Sequence, residues 1–187
     1  MKLVVTQNIT LDGVIEMTGD WFDPAGGEDD DNSDLVAVMR EHMEAEEAVL
    51  LGRDTFESFR GYWPQQTDDT TGVTDHLNEV QKYVVSSTLA DPQWKNTTVL
   101  GGSLEDEVRA LKGRPGKEIV VTGSISVTRA LVSAGQVDEY RLFVYPVVLG
   151  RGQRLFADAT GGPELELVEA RTFRSGVVLL SYRVAGS

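Results

Sequence analysis

The segment Ala48–Phe59 constrains the fold most strongly, because a short apolar run meets a glycine and then a helical pattern. The apolar residues 48–51 predict a buried strand and Gly52 predicts a turn. The residues that follow Gly52 predict a short helix. A strand that turns at a glycine into a helix leaves backbone N–H groups unpaired at the positive end of the helix dipole. Such a turn attracts an anion, typically a phosphate, and Arg53 and Thr55 would add a guanidinium and a hydroxyl. The alternative is an ordinary helix start with a solvated arginine.

Strands and helices alternate along the rest of the chain, which is the pattern of an α/β domain. The apolar runs predict strands at residues 3–9, 48–51, 83–87, 97–100, 119–122, 138–149, 164–173 and 177–184. Helical spacing predicts helices after a cap at Asn32 or Ser33 and at residues 54–60, 75–81, 104–112 and 126–133. A turn at residues 174–176 joins the last two strands as a hairpin. We therefore expect one domain over residues 1–187, with a mainly parallel sheet and an antiparallel carboxy-terminal edge.

The charge balance excludes several classes of protein. The 187 residues include 30 acidic and 17 basic side chains, for a formal net charge of −13, and no cysteine. Nucleic acid and anionic membranes bind basic surfaces, so we expect neither as a partner.

Without cysteine the chain has no disulfide, thiolate metal site or thiol nucleophile. The apolar run at the amino terminus is too short for a signal peptide and no stretch is long enough to span a membrane, so we expect a cytoplasmic protein.

Small and hydroxyl residues follow three of the predicted strands, at residues 52–55, 86–88 and 122–125. In an open α/β sheet, ligands bind at the carboxyl ends of the strands, so these residues would converge on one crevice. They supply a guanidinium, hydroxyls and glycine-flanked N–H groups, which together could hold the phosphates of a dinucleotide. The chain contains no G-x-G-x-x-G fingerprint, so the usual two-glycine dinucleotide fold is not indicated. Each turn by itself could also be ordinary turn chemistry.

These residues resemble a known family. The segment Gly52–Ser58, reading GRDTFES, resembles the G-R-x-T-[FWY]-E-S segment of dihydrofolate reductase. Val85–Ser87 is similar to its second-strand serine pair, and Val121–Ser124 to its glycine-containing nicotinamide turn. Leu131–Phe156, reading LVSAGQVDEYRLFVYPVVLGRGQRLF, is much closer to the reductase domain of bifunctional riboflavin-biosynthesis deaminase–reductases. The chain is therefore identified as a member of the dihydrofolate reductase-like superfamily, near the stand-alone homologues of that reductase domain.

The resemblance implies a three-layer α/β/α fold with a mainly parallel central sheet and an antiparallel carboxy-terminal edge. It also implies an NADPH-dependent oxidoreductase, which transfers a hydride to a small heterocyclic or carbonyl substrate and is related to 5-amino-6-(5-phosphoribosylamino)uracil reductase. Relatives pair through their sheets or carboxy-terminal strands, so a homodimer is expected.

Carried over residue by residue, the resemblance assigns the two ends of NADPH. Arg53 and Ser87 would flank the adenosine 2′-phosphate, with Ser86 near the adenine ribose. Thr6 and Gln7 would border the nicotinamide, and Gly13 and Val14, after Asp12, would cover it as a flexible loop. The residues implied at the pyrophosphate and its turn are Gly52, Arg53, Thr55, Thr122, Gly123, Ser124 and Ile125.

The resemblance identifies the proton donor less clearly than the cofactor-binding residues. Folate reductases use one carboxylate on the helix before the Gly-Arg turn, and Asp34 is the nearest counterpart in order. Its spacing to Gly52 departs from that pattern, as do Val36, Val38 and Met39 after it, so folate reduction is not expected. The alternative for Asp34 is a helix-start aspartate stabilised by the helix dipole.

Two further sets of residues could contact a substrate. The aromatic side chains of Trp21, Phe22, Tyr62 and Trp63 are candidate walls of a substrate pocket, because a flat ring stacks well on aromatics. The alternative is packing of loops over the core. The segment 149–152, reading LGRG, would contact a substrate phosphate or form a tight turn.

Other sites find little support. The acidic run 28–31 with Asp34 lacks the glycine and terminal glutamate of an EF-hand, so a solvated loop is preferred to a calcium site. His42 and His76 suggest neither a catalytic triad nor a metal site. Two rival functions stay open: a non-catalytic NADP(H)-binding module, which would need no proton donor, and a fold relic that acts only in protein interaction.

Overall fold

The computed structural model describes residues 1–19, 21–22, 31–156 and 162–186, and within them one sheet organises the chain. Its strands are β1 Lys2–Thr10, β2 Glu46–Gly52, β3 Gln81–Val85, β4 Thr97–Leu100, β5 Glu118–Val121, β6 Glu139–Tyr145, β7 Leu165–Thr172 and β8 Val178–Val184. The helices are α1 Ser33–Ala45, α2 Arg53–Tyr62, α3 Val73–Glu79, α4 Leu104–Lys112 and α5 Ile125–Ser133, with a 3₁₀ turn at Trp63–Gln65.

The eight strands lie in the order β4-β3-β2-β5-β1-β6-β8-β7. The pairs from β4 to β6 are parallel, whereas β8 runs antiparallel to both β6 and β7. The expected α/β fold, with a mainly parallel sheet and an antiparallel carboxy-terminal edge, is confirmed. The turn between β7 and β8 is closed by the N–H of Phe173, which donates to the carbonyl of Val177 at 2.9 Å.

Strand alternation divides the core between the two faces of the sheet. One face of β1 and β5, carrying Leu3 and Ile119, packs against α4 and α5. The opposite face carries Phe143 of β6, which packs against α1. A second apolar cluster on that face, around Phe56, lies between the sheet and helices α2 and α3. The result is three layers, α/β/α. No helix in the described part of the chain is long and apolar enough to cross a membrane.

Two elements, β6 and α3, have ends that differ from the predicted ones, because residues in the adjoining turns determine where they end or begin. The strand predicted at 138–149 ends at Tyr145, because Pro146 has no N–H to continue the ladder and the chain turns away. Helix α3 begins at Val73 rather than at residue 75, since Asp69 accepts hydrogen bonds from the N–H groups of Thr71 and Thr74 and so fixes the turn before it.

Lys82 anchors the loop that follows β3, because its side chain is fully buried under Trp94. Its Nζ donates to the carbonyl oxygens of Leu77 at 2.7 Å and Val80 at 2.9 Å, and lies 4.7 Å from the centre of the Trp94 ring. The Trp94 Nε1 donates in turn to Asn78 Oδ1 at 2.9 Å. Burial lowers the pKa of Lys82 to about 8 from its ordinary 10.5. The charged amine therefore holds α3 and the loop after β3 together.

The buried amine predicts a rise in stability at alkaline pH. Between pH 8 and 10.5 the unfolded chain keeps a proton on Lys82 that the folded protein has lost, so the free energy of unfolding rises with pH in that window. We expect a rise of roughly 2–3 kcal/mol relative to Lys82→Met, measured by urea unfolding at several pH values. The exposed Lys117→Met variant should keep the wild-type slope, and equal slopes for wild type and Lys82→Met would contradict the assignment.

Candidate functional site

The turns after β2 and β5 meet at the carboxyl edge of the sheet. The two strands are hydrogen-bonded neighbours, with Leu50 opposite Val121. The chain leaves β2 into α2 on one face of the sheet and leaves β5 into α5 on the other face. Neighbouring strands whose connections go to opposite faces leave a crevice between the two turns, which is where ligands bind in open α/β sheets.

Reciprocal hydrogen bonds lock these two turns together. The N–H of Gly52 donates to Ser124 Oγ at 2.7 Å, and the N–H of Ser124 donates to Thr55 Oγ1 at 3.0 Å. Gly123 has φ +70°, and a Cβ there would lie 2.8 Å from Thr55 Cγ2. A Cβ at Gly52 would lie 3.1 Å from Val127 Cγ2. At position 123 only glycine allows the turns to approach this closely, whereas a side chain at position 52 would require Val127 to shift. We call Gly52, Thr55, Gly123 and Ser124 the interlock.

The interlock changes which backbone groups can bind an anion. The N–H groups of Gly52 and Ser124, implied at a pyrophosphate by the resemblance, donate within the protein instead. Neither α2, beginning at Arg53, nor α5, beginning at Ile125, has a side-chain cap on its first turn. The first N–H groups of a helix have no intrahelical partner, so two helix N-termini present free donors side by side. Thr55 accepts with its oxygen and keeps its hydroxyl proton for another acceptor.

Arg53 reaches from this edge toward the turn after β3. Its Nε donates to Glu57 Oε1 at 2.9 Å and its Nη1 to Thr88 Oγ1 at 2.5 Å, while the side chain stays 45% exposed. Ser86 Oγ accepts from the N–H groups of Thr88 and Leu89 and so shapes the turn. The residue beside the guanidinium is thus Thr88, which the resemblance did not single out although it continues the hydroxyl run. Ser87, implied there, is an exposed neighbour of that contact.

Thr6 and Gln7 lie on opposite faces in the middle of β1, just beyond the residues that pair with β5. Gln7 is 2% exposed, and its Nε2 donates to the carbonyl of Gly123 and to Thr128 Oγ1, both at 3.3 Å. Gln7 therefore holds the turn after β5 in place through the Gly123 carbonyl. Thr6 is half-buried on the α1 side of the sheet, and Thr122 directly follows β5, which pairs with β1.

The turn after β1 is tied to the turn after β6. Asp12 accepts from Thr10 Oγ1 at 2.6 Å, and its Oδ2 accepts from the N–H of Gly150 at 2.8 Å. These two hydrogen bonds, with a weaker one from the N–H of Leu149, lower the pKa of Asp12 to about 2. Val14 is fully buried and pairs with Arg154 in an isolated bridge.

The carbonyl of Gly13 also accepts from the N–H of Leu155 at 3.0 Å, and the expectation that Gly13 and Val14 cover the nicotinamide as a flexible loop stays a prediction. At residues 149–152 the chain bends at Gly150, which has φ +70° and donates its N–H to Asp12, and contact of this segment with a substrate phosphate stays a prediction.

The four candidate aromatic walls separate into two pairs. The rings of Trp21 and Phe22 lie 5.5 and 5.7 Å from that of Tyr145, both edge-on. Tyr62 and Trp63 lie 5.0 Å apart, about 15 Å along α2 from the Gly52 turn, where Trp63 packs on the cluster around Phe56. They do not share a ring contact with the first pair within the described residues. Tyr145 was missed from the sequence because the strand was predicted to continue beyond it.

Asp34 lies in the first turn of α1, and both carboxylate oxygens accept backbone hydrogen bonds. Oδ1 accepts from its neighbour Leu35 at 2.9 Å, and Oδ2 from the N–H of Arg174 in the β7–β8 hairpin at 3.1 Å. This arrangement favours the helix-start alternative, since the carboxylate joins α1 to the hairpin. The catalytic role of Asp34 stays a prediction.

A buried ion cluster lies on the α1 side of β5, β1 and β6. Arg141 donates to both carboxylate oxygens of Glu118, at 2.6 and 3.0 Å, and to Glu139 at 2.7 Å, while Lys2 Nζ lies 2.6 Å from Glu139. Burial alone would raise the pKa of Glu118, but the Arg141 guanidinium outweighs it and lowers the pKa. Burial, followed by the Arg141 charge, lowers the pKa of His42 beside the cluster.

Within the described ranges no group of three or more His, Cys, Asp or Glu side chains is placed to hold a metal ion. His76 instead forms a pair with Glu46, Nε2 to Oε2, at 2.6 Å. Residues 28–30 of the acidic run lie outside the described residues.

Comparison with known proteins agrees with this architecture. The sequence model of the RibD C-terminal domain matches residues 1–179. The chain is 32% identical over 192 residues to the uncharacterized protein YyaP of Bacillus subtilis (strain 168), covering 99% of this chain and 96% of the relative. It is 27% identical to YwjB, another uncharacterized protein of that organism, covering 95% of both chains.

Two solved structures share the fold. A putative riboflavin biosynthesis protein from Shewanella sp. PV-4 superposes with a TM-score of 0.72 at 18% identity, covering 98% of this chain and 99% of that one. A pyrimidine reductase-like protein from Corynebacterium diphtheriae gives a TM-score of 0.67 at 17% identity, covering 100% and 92%. With the family model spanning nearly the whole chain, this protein belongs to the RibD C-terminal domain family, within the dihydrofolate reductase-like superfamily.

Proposed function

We propose that this protein is an NADPH-dependent reductase of a small heterocyclic or carbonyl compound. One observation carries the proposal: two uncapped helix N-termini are locked side by side at the interlock, next to the half-exposed guanidinium of Arg53. Membership of a reductase-like family supports it. The arrangement combines free N–H donors with a cation, as the phosphates of a dinucleotide require.

The residues present fit this cofactor. The first turns of α2 and α5, with the hydroxyl proton of Thr55, would hold the pyrophosphate. Arg53, Thr88 and Ser87 would hold the 2′-phosphate, and Ser86 would lie toward the adenine ribose. Thr6 and the turn at Gly123, which Gln7 supports, would border the nicotinamide. When bound, the cofactor supplies a hydride, and the protein supplies orientation and a site that excludes water.

Removal of the Arg53 guanidinium tests the preference for the phosphorylated cofactor. In Arg53→Ala we expect NADPH and NADP⁺ to bind roughly 10- to 150-fold more weakly, about 1.5–3 kcal/mol, because a charged hydrogen-bond partner of the 2′-phosphate is lost. NADH, which lacks that phosphate, should bind equally weakly to both proteins. Titration calorimetry at one fixed salt concentration measures each case.

The matched control is Arg109→Ala, which removes an exposed guanidinium paired with Asp106 on α4, away from the interlock. It should leave nucleotide binding unchanged. Absence of binding of every nucleotide to the wild-type protein would overturn the proposed function.

The interlock itself can be tested with Gly123→Ala. The new Cβ would strain the backbone at φ +70° and collide with Thr55 Cγ2, so we expect a loss of roughly 1–3 kcal/mol in stability together with weaker NADPH binding. Gly135→Ala is the control, because Gly135 has φ +63° and no atom within 4 Å of its Cβ position. Thermal unfolding and NADPH titration provide the two readouts.

A second substitution isolates the contact. Thr55→Ser removes the colliding methyl group but keeps the oxygen that accepts from Ser124, so it should restore much of the NADPH affinity lost in Gly123→Ala. If Gly123→Ala binds NADPH as the wild type does, the close approach of the turns does not shape the cofactor site.

One observation favours a second candidate function, a non-catalytic NADP(H)-binding module. Both carboxylate oxygens of Asp34 accept backbone hydrogen bonds, so the side chain expected to donate the proton is already hydrogen-bonded within the protein. The two functions differ in whether bound NADPH is oxidised by any carbonyl or heterocyclic compound.

The expected homodimer and cytoplasmic location stay proposals. Strand β7 is one of the two edges of the sheet, and its Leu167 and Val168 are 58% and 57% exposed. Exposed apolar side chains on an edge strand are a surface that a second copy of the chain could cover.

A further inference from the structure

We infer that the substrate binds on the α1 side of the sheet, at the ends of β1 and β6, and that Tyr145 supplies the proton in the reduction of a planar, uncharged carbonyl compound. The inference rests on the proposed function and adds to it the substrate class and the proton donor.

Strand register brings three polar side chains to this surface. Thr6 and Asn8 of β1 point to the same face, because side chains alternate along a strand. Asn8 is paired with Phe143 and Thr10 with Tyr145, so Asn8 and Tyr145 are diagonal neighbours on that face. Phe143 packs in the cluster of α1, and Tyr145 packs against the same cluster, which identifies the face. Thr6, Asn8 and Tyr145 are all half-buried.

None of these three side chains has a hydrogen-bond partner among the described residues. Their neighbours do: Gln7 bonds to Gly123 and Thr128, and Thr10 to Asp12. Polar side chains that bond to no other protein group are available to a ligand, and these three line the same face of neighbouring strands. A hydroxyl, an amide and a phenol together offer donors and acceptors to the edge of a lactam or ketone.

The surroundings favour a flat substrate. The rings of Trp21 and Phe22 stand edge-on to Tyr145 at 5.5 and 5.7 Å, and α1 covers the same face. Aromatic walls bind a planar conjugated ring over a large contact area. A carbonyl on that ring would lie within reach of the polar edge formed by the ends of β1 and β6.

The charges favour an uncharged substrate. The guanidinium of Arg141, which lies on the same face, is enclosed by Glu118 and Glu139, and that of Arg174 is paired with Asp31. A phosphate would therefore find these cations already neutralised by carboxylates. Such a substrate differs from the phosphoribosyl compound reduced by the enzyme to which the sequence resemblance relates this chain.

Tyr145 is suited to deliver the proton. Burial raises its pKa to about 12, so the phenol stays protonated at physiological pH. When the carbonyl carbon accepts the hydride, the C=O double bond becomes a single bond and the oxygen becomes an alkoxide, which is more basic than phenolate. The phenol O–H bond breaks as the O–H bond of the alcohol forms, and water then reprotonates the phenolate. The carbonyl compound is reduced and the dihydronicotinamide is oxidised.

The test uses isatin, a planar lactam with a reactive ketone, and isatin-5-sulfonate, which differs by one anionic group. The full chain is titrated with NADPH by calorimetry, and isatin binding to the NADP⁺ complex is then followed by tryptophan fluorescence. NADPH oxidation is followed by absorbance. We expect wild type to bind and reduce isatin, and to bind the sulfonate at least tenfold more weakly.

The deciding variant is Tyr145→Phe, which keeps the ring contacts and removes only the hydroxyl. We expect unchanged NADPH affinity, less than a tenfold change in isatin affinity, and a fall in kcat of about 100-fold or more, since a positioned proton donor contributes that much. A solvent deuterium isotope effect on kcat should be present in wild type and lost in the variant. Tyr182→Phe, the same change on β8, is the control and should retain wild-type kinetics.

The outcomes separate the two proposals. Failure of wild type to bind NADPH overturns the reductase function itself. Normal NADPH binding without isatin binding or turnover overturns the substrate surface. Equal turnover by wild type and Tyr145→Phe overturns the role of the phenol, and equal affinity for isatin and its sulfonate overturns the uncharged substrate class.

Discussion

The candidate cofactor site depends on one exchange of hydrogen bonds between two distant turns. Gly52 donates to Ser124, and Ser124 donates to Thr55, across 72 and 69 positions in the sequence. Because β2 and β5 are neighbours whose helices leave to opposite faces, their turns must share the same space at the sheet edge. Gly52 and Gly123 have no side chain that would collide with the opposite turn, and the Ser124 and Thr55 hydroxyl oxygens accept the backbone N–H groups. Two helix N-termini are thereby held at a fixed separation with their outer donors free.

The polar residues around this edge divide into two kinds. Gln7 and Asp12 are bonded within the protein and hold the turns after β5 and β6 in place. Thr6, Asn8 and Tyr145 have no partner among the described residues and lie together on the α1 side. Strand alternation explains the division, because consecutive residues of β1 face either the supporting helix α5 or the α1 side of the sheet. The nine-residue strand β1 therefore contributes both support and ligand-facing groups.

Local patterns predicted much of the architecture. Apolar runs and helical spacing indicated the eight strands and five helices, and the segment after Leu51 indicated an anion-binding turn. Contacts between distant parts of the chain were not predicted from the sequence. The hydrogen bond by which Asp12 joins the turn at Gly13 to the turn at Gly150 is one of them. The carboxylate and the backbone N–H that make this contact lie more than a hundred residues apart in the sequence, and no periodicity predicts it.

The sequence by itself determined the α/β class, the antiparallel carboxy-terminal edge and the position of the Gly52–Arg53 turn, because these follow from local spacing and turn chemistry. The tertiary structure decided which donors remain free. It engaged the N–H of Ser124 in the interlock and attached Asp34 to the β7–β8 hairpin. It left the Tyr145 hydroxyl, beside Trp21 and Phe22, without a hydrogen-bond partner in the described part of the chain. Whether a polar group is consumed by the fold or left for a ligand depends on strand order and on the helix that covers each face, which only the assembled sheet defines.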